Sequence, residues 1–323
     1  MPGADPKPLA LRISITDRCS LRCLYCMPEE GVPKIRHQDV LSLEQIVRFV
    51  RVLKRGPGLS KVRLTGGEPL VRAGVVDLVR MLAGEGVPDL ALTTNGQHLE
   101  GLAADLKAAG LSRLNVSLDT LDPDRYRALT RGGDVERVKA GIRQALAVGL
   151  HPVKLNSVVL RGINDDGLVE LCRWAFGQGV TLRFLELMPI GCAEQRFAEW
   201  FVPSAEVRGW LERAFRLAAL PHPAAESARS FAVFEGQRRL GVLGLISSES
   251  APFCEGCNRL RLTSTGQIIP CLTHAAGPSV RALLQSCAPD AEQEILRRVE
   301  EQMAQKCRRP GFEMAGPMAT VGG

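Results

Sequence analysis

Two patterns alternate along the chain from about residue 10 to residue 215. Short β-like runs recur at Leu11–Thr16, Val62–Thr65, Leu90–Thr94, Leu114–Asp119, Val153–Val158 and Leu182–Leu187. Between them lie amphipathic stretches, at Leu43–Leu53, Val75–Leu82, Leu102–Ala109, Val135–Val148 and Leu168–Phe176. A strand followed by a helix, repeated in this way, predicts a parallel sheet with helices packed against it. Ser42 ahead of Glu44 and Gln45 marks a helix start, and Gly110 and Gly149 stand where helices should stop. The expected fold is α/β: a partial (β/α)6 TIM-like barrel over residues 1–219, then a C-terminal α+β extension over residues 220–323. A Pro- and Ala-rich stretch, Leu220–Arg229, reads as the linker. After it come β-like runs at Phe231–Phe234 and Leu240–Ser247, and a last helix from about Ala291 to Lys306.

The predicted strands end in reactive or polar residues. Thr16-Asp17-Arg18-Cys19 follows the first, Thr65-Gly66-Gly67-Glu68-Pro69 the second and Thr93-Thr94-Asn95-Gly96 the third. Asn115-Val116-Ser117-Leu118-Asp119, Lys154-Leu155-Asn156 and Glu186-Leu187-Met188-Pro189 complete the set. In βα barrels the site sits on the face made by these strand ends and their loops. Polar turns alone account for the Gly and Asn residues, but not for the cysteines.

Composition narrows the field. A hydrophobic share of 45% in 323 residues supports a sizeable core. No apolar run approaches the ~18 residues that span a bilayer, and Met1–Ala10 lacks the layout of a signal peptide. A cytoplasmic protein without membrane contact is expected. The formal charge of +6 favours an anionic partner. With no dense Lys/Arg block and only two Tyr and three Trp, nucleic acid is disfavoured against a small polyanion held by scattered Arg and Lys.

Ten cysteines without a secretory leader argue against a disulfide framework. Cys172, Cys192, Cys287 and Cys307 stand alone, while the other six form two triplets. Cys19, Cys23 and Cys26 follow the first strand, so that one loop can supply three corners of a [4Fe-4S] cube and leave the fourth iron open. The alternative, structural zinc, wants a fourth protein ligand, and His37 is the nearest candidate. Cys254, Cys257 and Cys271 form the second triplet. With His274 they would equally suit a Cys3His zinc site, although Arg259 and Arg261 on one face of the adjoining strand suggest an anionic ligand nearby.

Cys-x3-Cys-x2-Cys after a first strand, with Tyr25 before the last cysteine, resembles the radical S-adenosylmethionine superfamily, as does Gly66-Gly67-Glu68-Pro69 after the second strand. From Leu11 to Gly323 the chain resembles one family within it, the GTP 3′,8-cyclases of molybdenum cofactor biosynthesis. The shared stretches include Leu11–Cys19, Met27–Gly31, Arg63–Leu70, Thr93–Gly96, Asn115–Asp119, Gly162–Asp165, Met188-Pro189, Phe253–Thr263 and the terminal Gly-Gly. Peptide-modifying radical enzymes usually carry more C-terminal cysteines and lack the Asn-Arg-x-Arg run.

The resemblance implies S-adenosylmethionine and two [4Fe-4S] clusters as cofactors, one on each triplet, with His274 a bystander. It implies that Tyr25, Gly67, Ser117 and Met188 contact S-adenosylmethionine. Arg12, Arg63, Thr93, Lys154, Arg259 and Arg261 would contact GTP, joined by Arg183. Arg12, Arg183 and the tail residues Gly322 and Gly323 would assist catalysis. The implied reaction is abstraction of the ribose C3′ hydrogen of GTP and closure of that carbon onto guanine C8. Implied partners are an electron donor such as flavodoxin or ferredoxin and cyclic pyranopterin monophosphate synthase, which takes the product; a homodimer is compatible with the family. Arg183 and Met188 lie five apart, so if both line the site the last strand must end or bulge near Met188-Pro189.

Overall fold

The computed structural model describes residues 8–223, 226–254, 256–274, 276–306 and 318. Strands β1 (Leu9–Ser14), β2 (Leu59–Thr65), β3 (Leu90–Thr94), β4 (Arg113–Ser117), β5 (Val153–Val158) and β6 (Thr181–Leu185) pair side by side in chain order, all parallel. Helices α1 (Leu43–Arg55), α2 (Val75–Gly84), α3 (Leu99–Ala108), α4 (Pro123–Thr130), α5 (Val135–Ala147) and α6 (Leu168–Gly177) lie in the crossovers. After β6 come α7 (Phe197–Trp200), α8 (Ser204–Glu212), β7 (Arg216–Ala219), β8 (Arg229–Glu235), β9 (Arg238–Ile246), β10 (Arg259–Leu262), β11 (Ile268–Ile269), α9 (Arg281–Gln285) and α10 (Ala291–Ala304).

The C-terminal strands extend the same sheet. Its order is β11-β10-β1-β2-β3-β4-β5-β6-β9-β8-β7, with β10 parallel to β1 and β9 parallel to β6. The boundary read between residues 219 and 220 thus falls inside the antiparallel β7–β8 pair. The stretch read as a linker, Leu220–Arg229, lies between those two strands in the chain, and its last residue is the first of β8.

Alternation along each strand sorts side chains to two faces. Leu9, Leu11 and Ile13 of β1, Leu90 and Leu92 of β3, Val153 and Leu155 of β5, Leu182 and Phe184 of β6 and Leu260 and Leu262 of β10 join one apolar core. Its helical side includes Ile46, Phe49 and Val50 of α1, Val138 and Ile142 of α5 and Ile295 and Val299 of α10. The helix start predicted at Ser42 is present, and two further caps join it. Ser42 and Gln45 form a reciprocal capping box on α1, and Asp122 and Asp134 cap α4 and α5.

The opposite face carries the remaining strand residues, and it is polar. An ordinary βα barrel fills that interior with layers of aliphatic side chains. Here it holds Arg12, Lys61, Arg63, Thr93, Arg113, Asn115, Lys154, Asn156, Arg183, Arg259 and Arg261, which alternate with the core residues of the same strands.

Candidate active site

The two cysteine triplets stand at opposite ends of this polar interior. Cys19, Cys23 and Cys26 lie just beyond the C-terminal end of β1. Cys254 and Cys257 precede β10, which runs parallel to β1, and so belong to the N-terminal end. Cys271 follows β11, which returns antiparallel to β10, and arrives at that same end.

Around the first triplet the chain closes on itself. Gly67 N–H donates to Thr16 O at 2.8 Å and Glu68 N–H to Arg18 O at 2.8 Å, binding the β2 loop to the cysteine loop. A Cβ on Gly67 would sit 2.4 Å from Arg18 O, so only glycine allows that approach. The buried Glu68 carboxylate accepts from Leu70 N, Asn95 N and Thr94 Oγ1, linking the β2 and β3 ends. Burial pushes this carboxyl up to about 7 against those donors. Tyr25 donates its hydroxyl to Asp119 Oδ2 at 2.8 Å, and Val158 N donates to Asp119 Oδ1, so the cysteine loop is also tied to the β4 and β5 ends. Burial raises the Asp119 carboxyl to about 6.

The three thiols suit a group that takes them as thiolates. Burial pushes all three up, Cys26 to about 12, with Cys26, Asp119 and Cys19 adding to the rise at Cys23. A positively charged metal group reverses that preference. Leu21 N–H and Asn95 Nδ2 already point at Cys19 Sγ, at 3.4 and 3.8 Å. His37, the candidate fourth ligand, is exposed on a single 3-10 turn.

At the other end the electrostatics differ. Burial pushes the Cys271 thiol up, but Thr273 donating to its sulfur, with Arg261 and Lys306 nearby, brings it below the ordinary value. Among the described residues no three His, Cys, Asp or Glu side chains gather closely enough to share one ion. That holds for Cys254, Cys257, Cys271 and His274 and for the Cys19, Cys23 and Cys26 set alike, so it does not separate zinc from a cluster. His274 Nδ1 lies 3.3 Å from Thr273 Oγ1, and its buried Nε2 has no hydrogen-bond partner among the described residues.

Between the triplets lies the cation row. Arg12 stands in register with Arg261 on one side and Arg63 on the other. Asn115 is opposite both Thr93 and Lys154, and Arg183 is opposite Asn156 and Gly244. A Cβ on Gly244 would lie 3.1 Å from Arg183 Cγ, so the glycine makes room for that side chain. Burial, with repulsion from Arg261, Arg63 and Arg259, holds Arg12 well below the usual guanidinium range. Burial and Arg183 lower Arg63 to about 9, and burial lowers Arg261 and Arg183 to about 10. Lys154 falls to about 8, by burial and then by Arg183. Arg63 Nε, Thr93 Oγ1 and Asn156 Oδ1 are buried without hydrogen-bond partners among the described residues. Half-buried cations, with Arg261 buried among them, beside orphaned polar atoms fit a polyanion with hydroxyl and base groups.

The structure thus brings Arg12, Arg63, Arg183, Arg259, Arg261 and Lys154 into one electrostatic neighbourhood and places Thr93 on the same face. Tyr25, Gly67, Ser117 and Met188 fall at the cysteine-loop end of the strands. Strand β6 ends at Leu185, so Met188 is in a loop and the parity conflict with Arg183 disappears. Gly322 and Gly323 lie outside the described residues, as does Cys307. Strand-end reading missed Arg113, which adds to the cationic field, and its partner Asp89, which also pairs with Lys61 at 3.4 Å. Glu186, named in the sequence only as a strand-end group, has a carboxylate that accepts from Ser204, Glu249 and Ser250 N–H groups and so fixes the turn leading to Met188. Register with neighbouring strands was the missing signal for Arg113.

Comparison with known proteins bears on the family and the fold. Residues 13–175 match the family model described as Radical SAM superfamily, and residues 180–312 that described as Molybdenum Cofactor Synthesis C. The GTP 3′,8-cyclase of Moorella thermoacetica is 45% identical across 97% of both chains. That of Geobacter sulfurreducens is 42% identical across 97% of this chain and 96% of its own. Among solved structures, Streptococcus suis SuiB bound to S-adenosylmethionine superposes with a TM-score of 0.58 at 16% identity, covering 88% of this chain and 65% of that one. Native anSMEcpe with bound AdoMet gives a TM-score of 0.56 at 16% identity, covering 93% and 84%. At such identity these two structures speak for the fold alone. The fold and the Cys19–Cys26 loop define a radical S-adenosylmethionine protein. Within that class, the near full-length relatives and the second matched region show that the chain belongs to the GTP 3′,8-cyclase family.

Proposed function

We propose that this chain converts GTP to (8S)-3′,8-cyclo-7,8-dihydroguanosine 5′-triphosphate, the first step of molybdenum cofactor biosynthesis. The observation that carries the reading is a largely half-buried cation row on one sheet face, with a cysteine triplet at each end. Cys19, Cys23 and Cys26 would hold one [4Fe-4S] cluster and Cys254, Cys257 and Cys271 a second. Tyr25, Gly67, Ser117 and Met188 would hold S-adenosylmethionine beside the first. When bound and given an electron, that pair would supply a 5′-deoxyadenosyl radical.

The chain's own residues bind, orient and exclude. Arg12, Arg63, Arg183, Arg259, Arg261 and Lys154 would neutralise a nucleotide that carries roughly four negative charges, at about 1.5–3 kcal/mol for each charge-assisted hydrogen bond. Thr93 Oγ1 and Asn156 Oδ1 are the orphaned groups available to its sugar and base. The barrel wall keeps water and bystander C–H bonds from a reactive carbon radical, and the chemistry of the cofactor needs position more than new functional groups. Gly322 and Gly323 would enter the same chamber, where residues without side chains fit beside a substrate. Deleting both should lower cyclisation while leaving iron content intact. A flavodoxin or ferredoxin is the proposed electron source, and cyclic pyranopterin monophosphate synthase the proposed consumer of the product. Among the described residues no helix is long and apolar enough to cross a membrane.

The decisive experiment is anaerobic incubation of reconstituted protein with GTP, S-adenosylmethionine and dithionite. The reading requires 5′-deoxyadenosine formation that depends on GTP and not on ATP, together with the cyclised nucleotide. Equal turnover with ATP would overturn it.

A further inference from the structure

The cysteine loop is held from beneath by a turn that the reaction itself does not use. Helix α4 ends at Thr130, and Arg131 follows in the left-handed conformation, at φ 53° and ψ 58°. A bulky non-glycine residue adopts that conformation only where its surroundings hold it there. From this position one guanidinium nitrogen, Nη1, donates to Arg22 O at 3.1 Å and to Met27 O at 2.9 Å. Those carbonyls bracket Cys23 and Cys26.

The backbone of the same turn makes two further bonds to the loop. Thr130 O accepts from Arg22 N and Leu129 O from Leu24 N, both at 3.0 Å. Gly133 completes the fit, because a Cβ there would lie 2.6 Å from Thr130 Oγ1, 2.8 Å from the Tyr126 ring and 3.1 Å from Leu21. Within the loop, Cys26 N and Met27 N both donate to Cys23 O, at 2.9 and 3.0 Å. The segment that presents two of the three thiols is therefore closed by its own hydrogen bonds and by Arg131, with protein groups alone.

We propose that Arg131 is a positioning residue for the first triplet, bracing the segment that carries Cys23 and Cys26 from the end of α4 so that fewer loop shapes compete with the ligating one. The proposal rests on reading Cys19, Cys23 and Cys26 as ligands, and it is independent of the substrate. Loss of the clamp would widen the set of loop shapes that iron must select, so site loading and the fit of S-adenosylmethionine should suffer together.

The test substitutes Arg131→Asn, since asparagine tolerates the left-handed conformation but is too short to reach either carbonyl, and Arg131→Lys, which keeps the charge. Full-length proteins are reconstituted anaerobically. Iron and acid-labile sulfide are then counted, and the reduced EPR spectrum is recorded with and without S-adenosylmethionine; no GTP is needed. For Arg131→Asn, iron should fall by about half, because one of two clusters is affected. The spectral response to S-adenosylmethionine should be lost, with circular dichroism unchanged and Arg131→Lys intermediate. Full iron with an unaltered response in Arg131→Asn would overturn the clamp. Equal loss at both triplets would also overturn it, by showing a general folding defect. Should Arg131→Asn not fold, Arg131→Lys decides by the same spectrum, with a wild-type response overturning the proposal. An unsubstituted protein that takes up no iron would instead overturn the ligand reading, and the clamp with it.

Discussion

Arg12 and Arg261 face each other across the β1–β10 ladder, although one belongs to the first strand of the chain and the other to its C-terminal region. Arg63 flanks Arg12 at the same level on the other side. Loss of solvent is the main cause that holds Arg12, Arg63 and Arg261 below the usual guanidinium range; repulsion adds to it, from Arg261, Arg63 and Arg259 at Arg12, from Arg183 at Arg63 and from Arg259 at Arg261. Such a row makes little sense as scaffolding, since apolar side chains of similar size would stabilise the interior better. It makes sense as the receptor for the polyanion proposed above.

Arg63→Met separates these roles. It removes one half-buried cation and fills the space with an apolar chain of similar reach. GTP affinity should fall about 10- to 100-fold, the equivalent of one charge-assisted hydrogen bond. The melting temperature of the ligand-free protein should hold or rise. Equilibrium dialysis and thermal melts measure both. A variant that melts lower yet binds GTP normally would show that Arg63 is structural.

Lys154 gives the pH dependence. Burial, then Arg183, depresses its ammonium from 10.5 to about 8. A base whose pKa falls on folding contributes stability that is present above pH 10.5 and lost as the pH drops through 8. Binding runs the other way, because a phosphate beside Lys154 favours the charged form. GTP binding near pH 8 should therefore take up a proton, and affinity should decline as the pH rises above 8. Titration calorimetry in buffers of different ionisation enthalpy reads the uptake directly. Lys154→Met should abolish it, and uptake that persists in that variant would assign the proton to another group.

Much of this was legible in the sequence, for physical reasons. The βα alternation predicts β1 to β6, since strands with one apolar face and amphipathic helices carry their periods openly. The cysteine triplets and Gly66-Gly67-Glu68 are legible because their chemistry needs fixed spacings. The parallel docking of β9 and β10 on the two edges of the barrel sheet was not, since nothing local in Leu240–Ser247 or Arg259–Leu262 names a partner strand. Strand β7 was also missed: Arg216–Ala219 is four residues long and half exposed, too short to show alternation. Arg131 stayed hidden because its conformation and its reach to two carbonyls exist only once α4 and the cysteine loop have met.

The packing of Gly67 is testable against a neutral control. Gly67→Ala sets a methyl 2.4 Å from the Arg18 carbonyl, which backbone cannot yield cheaply. It should destabilise by about 1–3 kcal/mol, as overpacking does, and should impair S-adenosylmethionine cleavage. Gly84→Ala, at the end of α2 with nothing within 4 Å, should be neutral or stabilise by about 0.4–1 kcal/mol. Chemical denaturation of both variants, alongside 5′-deoxyadenosine assays, makes the comparison. A Gly67→Ala protein as stable and active as Gly84→Ala would contradict the close approach.

The second triplet carries the sharpest choice, between a cluster on three cysteines and a zinc ion that recruits His274. Thr273 donates to Cys271, and Arg261 with Lys306 favours its thiolate, whereas His274 keeps a buried nitrogen unpartnered among the described residues. Removing that imidazole deletes an unsatisfied polar atom, so His274→Ala should leave stability unchanged within about 0.5 kcal/mol or slightly improved. Iron and sulfide should stay at the level of the unsubstituted protein. Cys271→Ser should lose the iron and sulfide of one cluster, and with them the contribution of this end to GTP binding, while the spectral response of the first cluster to S-adenosylmethionine persists. Metal analysis, sulfide assay and GTP dialysis on the two variants complete the test. Zinc without sulfide, lost equally from His274→Ala and Cys271→Ser, would establish the Cys3His site and remove the second cluster from the proposed chamber.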